Sequence, residues 1–150
     1  MAREVTVATE IKRPANEVFN FLADGENIPR WMDQFDSVVQ TSPGPVAKGT
    51  TYKYKARRGP ESTFEWSEYE PNRKLAWTGP PISGAVGSLA PDGNYMLEEL
   101  DGETRVTATV RPQLGGLKKL MRPLMRRSLR RVFRADFERL RGILQSGQPR

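Results

Sequence analysis

The segment at residues 117–145 constrains the fold most. Leu117, Met121, Met125, Leu129, Phe133 and Phe137 recur every four residues, and Leu120, Leu124, Val132, Leu140 and Leu144 stand beside them. A helix built on this pattern has one apolar face and needs a matching apolar surface to cover it. At 100° per residue a strict four-residue repeat drifts by about 40° per step. The stripe therefore winds, and a bend at Pro123 would keep it against one surface.

The surface it needs is written upstream. "REVTVATEI" alternates, with Val5, Val7 and Ile11 on one side, and predicts a half-buried strand. Pro14 and Glu17 then open a helix whose apolar positions Val18, Phe19, Phe21 and Leu22 have helical spacing; Asp24-Gly25 stops it. A second short helix is expected over Glu26 to Met32, carrying Ile28, Trp31 and Met32 over one end of a sheet. From Phe35 on, candidate strands at residues 35–41, 50–58, 61–70, 74–79, 84–90, 94–100 and 103–112 are divided by Gly, Pro, Asn and Asp turns. Such short connections join antiparallel neighbours. Residues 79–92 have little bulk and read either as a strand or as a loop. The expected fold class is α+β, with a curved antiparallel sheet of about seven strands around one long C-terminal helix and two short helices after the first strand. At 150 residues the chain fits a single domain over 1–150.

Absent residue types narrow the chemistry. The chain has no His and no Cys, which excludes thiolate nucleophiles, Ser-His-Asp triads and the usual zinc sites. Proton transfer would fall to Asp, Glu, Lys, Tyr or water. The acids of "EELDGE" at 98–103 read as a hairpin turn, too few for a calcium loop. Neither a metal nor any other cofactor is expected. No apolar run has the length of a membrane span or a secretory leader core, so a cytoplasmic location is expected.

The net charge of +6 is concentrated. Residues 116–146 hold ten Lys and Arg against Asp136 and Glu138, a net of +8 that leaves −2 for the rest. On a helix these cations mostly oppose the apolar stripe, as a solvent face does. They would also attract phosphates, so weak contact with an anionic surface stays open. Aromatic residues for base stacking are missing from that face, and nucleic acid is not expected as a partner.

Order and spacing carry a resemblance. "IKRPANEVFNFLADGENIPRWM", then "GPVAKGTTYKY", "SEYEPNRKLAW" and "ETRVTATVRP", closed by a long helix ending "FERLRGIL", together resemble the START-like or Bet v 1-like helix-grip (SRPBCC) superfamily over residues 3–146, and its bacterial polyketide cyclase/dehydrase branch most of all. The resemblance implies a sheet gripping the C-terminal helix and a cavity for an apolar ligand between them. It implies no specific catalytic motif.

Within that frame strand alternation sorts the candidates. Tyr52 and Tyr54 share a face; so do Phe64, Trp66 and Glu68, and so do Tyr95 and Leu97. With Trp31, Phe35 and Trp77, and with Met121, Leu124, Met125 and Phe133 of the helix, they form the expected ligand-binding set; packed core is the alternative for each. Glu68 is the one catalytic candidate, because burial on the Trp66 face would raise its pKa; exposure beside a lysine or arginine is the competing reading. Arg105, Arg111 and Glu98 reach the pocket only from strand ends and are expected in solvent. Two functions follow: binding of a hydrophobic small molecule of the polyketide, lipid, isoprenoid or quinone class, or a cyclase/dehydratase acting by substrate orientation and acid-base assistance. An adaptor that uses the basic helix face comes third.

Overall fold

The computed structural model describes residues 4–57, 59, 61–80, 91–111 and 119–146. The expected strand at 84–90 lies outside them. Strand β1 (Val5–Ile11) leads into helix α1 (Ala15–Ala23), a 3-10 turn (Gly25–Asn27) and helix α2 (Ile28–Trp31). Six strands follow: β2 (Phe35–Gln40), β3 (Thr51–Ala56), β4 (Glu61–Glu70), β5 (Lys74–Thr78), β6 (Asp92–Leu100) and β7 (Glu103–Arg111). Helix α3 (Arg122–Gln145) closes the chain.

The seven strands form one antiparallel sheet in the order β1-β7-β6-β5-β4-β3-β2. It is a meander from β2 to β7, with β1 added beyond β7 in the register Val5↔Val110 to Ile11↔Thr104. The tight turns behave as their composition requires. Asp101 and Gly102 both take positive φ, 54° and 80°, and join β6 to β7 directly after the Leu100↔Glu103 pair, the backbone of a two-residue hairpin turn that matches strand twist.

The inner face collects Val5, Val7, Tyr52, Trp66, Leu75, Tyr95, Leu97, Val106 and Val110, and α3 lays Leu129, Phe133, Phe137, Leu140 and Leu144 against it. Helix α1 buries Val18, Phe19, Phe21 and Leu22 at one side of this core. Pro14 offers no side-chain cap to α1; instead Glu99 of β6 accepts from the Ala15 N–H at 2.7 Å. One sheet gripping one long helix is the architecture expected from the sequence.

The start of α3 differs from expectation. The helix begins at Arg122, with Lys119–Met121 in a turn, and Pro123 stands in its first turn, where a missing N–H costs nothing. No bend is needed because the winding stripe is not buried along its whole length. Leu129 to Leu144 face the sheet, while Met121 and Leu124 are 48% and 57% exposed. Expected in the ligand-binding set, these two stand in solvent instead.

Candidate functional site

A cavity opens between the inner face of β2–β6 and helix α2. Its walls are Ile28 and Met32 from the α2 region, Phe35 and Val38 of β2, Tyr54 of β3, Thr63, Phe64 and Trp66 of β4, Trp77 of β5, Tyr95 of β6, and Pro80 and Pro91 at the strand ends. With its open mouth included it spans about 620 Å³, of which about 60 Å³ admits the centre of a water molecule. The cavity thus has room for a few waters.

Six of these walls are aromatic rings, and none carries a charge. Phe64 leans on Tyr52, Tyr54 and Trp66 with centroids 5.0, 6.2 and 5.3 Å away, and Phe35 meets Tyr54 edge-on at 5.3 Å. Trp77 lies 5.1 Å from Tyr95 and crosses onto its strand partner Gly93. A Cβ at position 93 would stand 2.6 Å from the indole and 2.7 Å from the Thr109 carbonyl, so only glycine lets the indole lie flat on β6.

Of the thirteen expected ligand-binding residues, the structure brings Phe35, Tyr54, Phe64, Trp66, Trp77 and Tyr95 to the cavity. Tyr52, Trp31, Leu97 and Phe133 are buried in the core beside it. The Tyr52 hydroxyl receives the Gly25 N–H at 3.2 Å and donates to the Ala23 carbonyl at 3.2 Å. Trp66 Nε1 donates to the same carbonyl at 3.1 Å. This knot ties the end of α1 to β3 and β4 and leaves Tyr52 no hydrogen bond to spare for a ligand. Trp31 stacks on Phe137 at 6.0 Å, and Met125 packs half-buried at the core's edge. Sequence reasoning missed Ile28, Val38, Thr63, Pro80 and Pro91.

Glu68 is not on the cavity face. The β4–β5 register slips between Trp66 and Glu68, a bulge that turns every later side chain over. Tyr69 takes the inner side, its ring edge-on to Phe19 at 5.2 Å, and the half-exposed Glu68 pairs with Lys74 at 3.0 Å. Arg105 and Arg111 pair with Glu10 and Glu4 in solvent, and Glu98 is exposed.

The buried carboxylate of the molecule is Asp136, behind the cavity. It occupies the core side of α3 between Phe133 and Phe137, with a side chain 2% exposed. Gln34 Nε2 donates to it at 3.0 Å and Arg139 Nη1 at 3.2 Å; the same Arg139 nitrogen holds the Trp31 carbonyl at 2.9 Å. Burial pushes the Asp136 carboxyl up to about 6, against the opposing pull of Gln34, Arg139 and the Asp33 backbone. Burial, with the Asp136 charge adding to it, raises the Tyr95 phenol as well. Tyr95 therefore remains protonated at neutral pH and is not a base. The signal for Asp136 was in the sequence: an acid at an apolar-stripe position, seven residues after Leu129 and four before Leu140.

Residues 2–145 match the family described as polyketide cyclase/dehydrase and lipid transport. An uncharacterized protein of Mycobacterium tuberculosis is 33% identical over 123 residues, which cover 79% of this chain and 72% of that protein. Among solved structures, a protein of Thermus thermophilus superposes with a TM-score of 0.73 at 15% identity, over 96% of this chain and 98% of that one. The Zhui aromatase/cyclase of a Streptomyces species superposes with a TM-score of 0.70 at 17% identity, over 99% of this chain and 96% of that one. Those two likenesses show the fold alone. With its curled sheet, gripped helix and aromatic hollow, the chain belongs to the polyketide cyclase/dehydrase and lipid transport family of the Bet v 1-like fold.

Proposed function

We propose that the chain binds a hydrophobic small molecule of the polyketide, lipid, isoprenoid or quinone class in the cavity between β2–β6 and α2. The observation that carries this reading is the wall: six aromatic rings, several aliphatic side chains and no charge. Each ligand methylene removed from water there contributes about 0.8 kcal/mol, and an ionised group would have no partner. Met32 can shift to suit an irregular outline. Tyr54 and Tyr95 are the wall residues that carry a hydroxyl on the inner-facing side of their strands, and in this reading they orient the ligand.

Ring closure or loss of water in the same cavity is the second reading, favoured by one observation. Tyr95 is a buried wall residue whose phenol stays protonated, and in this reading it holds a carbonyl in a reactive fold of the ligand. No wall residue among those described is a base at neutral pH.

Native mass spectrometry of the protein purified from its own host, with identification of any molecule that travels with it, separates the two. A stoichiometric apolar passenger recovered unchanged supports binding; conversion of a supplied precursor, lost in Tyr95→Phe, moves the reading to catalysis. Phe64→Ala and Trp77→Ala, both at half-buried walls, are each expected to weaken binding of the passenger by roughly tenfold or more in a fluorescence titration. Unchanged affinity in both variants would remove the cavity as the binding site.

A further inference from the structure

The register fixes which end of the sheet carries the cavity mouth. Phe35 opens β2, Ala56 ends β3, Glu61 opens β4, Thr78 ends β5 and Asp92 opens β6, and the antiparallel pairings set all of these at the end where β1 begins with Val5. The cavity residues Phe35, Phe64, Trp77, Pro80 and Pro91 cluster at that end.

Helix α3 starts there too. Its last turn is fixed at the opposite end, where Arg13 donates to the Leu144 carbonyl at 2.8 Å and Lys12 to Gln145 at 2.8 Å, and it packs back along β1. Seven strand residues at about 3.3 Å each are matched by about fifteen helical residues at 1.5 Å. Arg130 is then level with Val5, and the first two turns of α3 extend beyond that level on the mouth side, with Met125 still packed against the core. That is the physical reason for the exposure of this end: Leu120, Met121 and Leu124 stand 89%, 48% and 57% exposed.

Along this segment of the chain the charge has one sign. Residues 119–135 contain seven Lys and Arg and no acid. Leu124, Arg127 and Arg131, at i, i+3 and i+7, share the helix face opposite Leu129, Phe133 and Leu140, and Arg127, Arg131 and Arg134 are exposed.

We infer that this projecting end of α3 docks on an anionic phospholipid surface, with Leu120, Met121 and Leu124 entering the headgroup boundary and the arginines lying among the phosphates. Apolar side chains within a ring of cations are what such an interface takes up, and no helix among the described residues is long and apolar enough to cross it. Docking would set the cavity mouth against the bilayer, where apolar molecules are dissolved. A polyanion such as nucleic acid would use the arginines and has no use for the exposed leucines, and the charge repels a second copy.

The test is vesicle flotation of the full chain with phosphatidylcholine vesicles, with and without phosphatidylglycerol. Binding only to the anionic vesicles is expected, weakening with added salt. R127Q/R131Q should lower it by roughly tenfold or more, and Leu124→Ser should lower it at unchanged charge, both variants melting like the parent. Equal binding to the two vesicle types, or none to either, overturns the inference. So does a Leu124→Ser variant that binds like the parent while duplex DNA strips the protein from the vesicles, the result expected of a general polyanion binder. Trp77→Ala should float undiminished, so failure of the cavity reading leaves this one standing, and the reverse.

Discussion

Trp66→Ala is expected to destabilise the protein by about 3–5 kcal/mol, the range for removing a large ring from a core that cannot collapse around the gap. Trp66 is 1% exposed, and its ring meets Tyr52 at 5.7 Å and Phe64 at 5.3 Å. Its Nε1 also shares the Ala23 carbonyl with the Tyr52 hydroxyl, so truncation removes packing and loosens the attachment of α1. Trp66→Phe keeps most of the ring and leaves that carbonyl its bond from Tyr52; a loss of about 1–2 kcal/mol is expected. Urea unfolding measures both. A Trp66→Ala variant that loses less than about 1 kcal/mol would show a side chain held loosely in a cavity wall.

The second large effect is a pH dependence set by Asp136. Its carboxyl is raised from 3.8 to about 6, so the folded state holds this proton more tightly than the unfolded chain. The contribution to stability is complete below about pH 4, declines as pH rises and is gone above about pH 6 to 7; two pH units correspond to up to about 3 kcal/mol. Asp136→Asn is a neutral isostere with the same amide and guanidinium neighbours, Gln34 and Arg139. The difference in unfolding free energy between parent and variant, measured at pH 4 and at pH 7.5, should move in favour of the variant by that order. A difference that does not change with pH would mean Asp136 ionises as an exposed carboxylate does.

Much of the fold was legible because two periods and a set of turns were clean. The alternation of β1, the Asp101-Gly102 hairpin and the Asp24-Gly25 stop are local signals, and the tertiary structure follows them. The failures share a cause: each concerned a limit that the local pattern does not contain. Alternation placed Glu68 beside Trp66 because a bulge is invisible to a period of two. The four-residue repeat carried Met121 and Leu124 into the core because periodicity does not say where the sheet ends. Asp136 entered only the charge count of the helix, although its position in the stripe assigns it to the core. The cavity itself was legible only through resemblance, since a lined hollow and a filled one call for the same aromatic side chains.

The pairing of β1 with β7 sets an order of events during synthesis. Strands β2 to β7 each find a neighbour as soon as the next hairpin is made, but Val5 must wait for Val110, roughly a hundred residues later, and for α3 beyond it. Until then Val5, Val7 and Ile11 form an unpaired apolar edge on the nascent chain. Folding should therefore finish with a slow, non-local docking step, and a chaperone that shields short apolar strands would find its target in the first dozen residues.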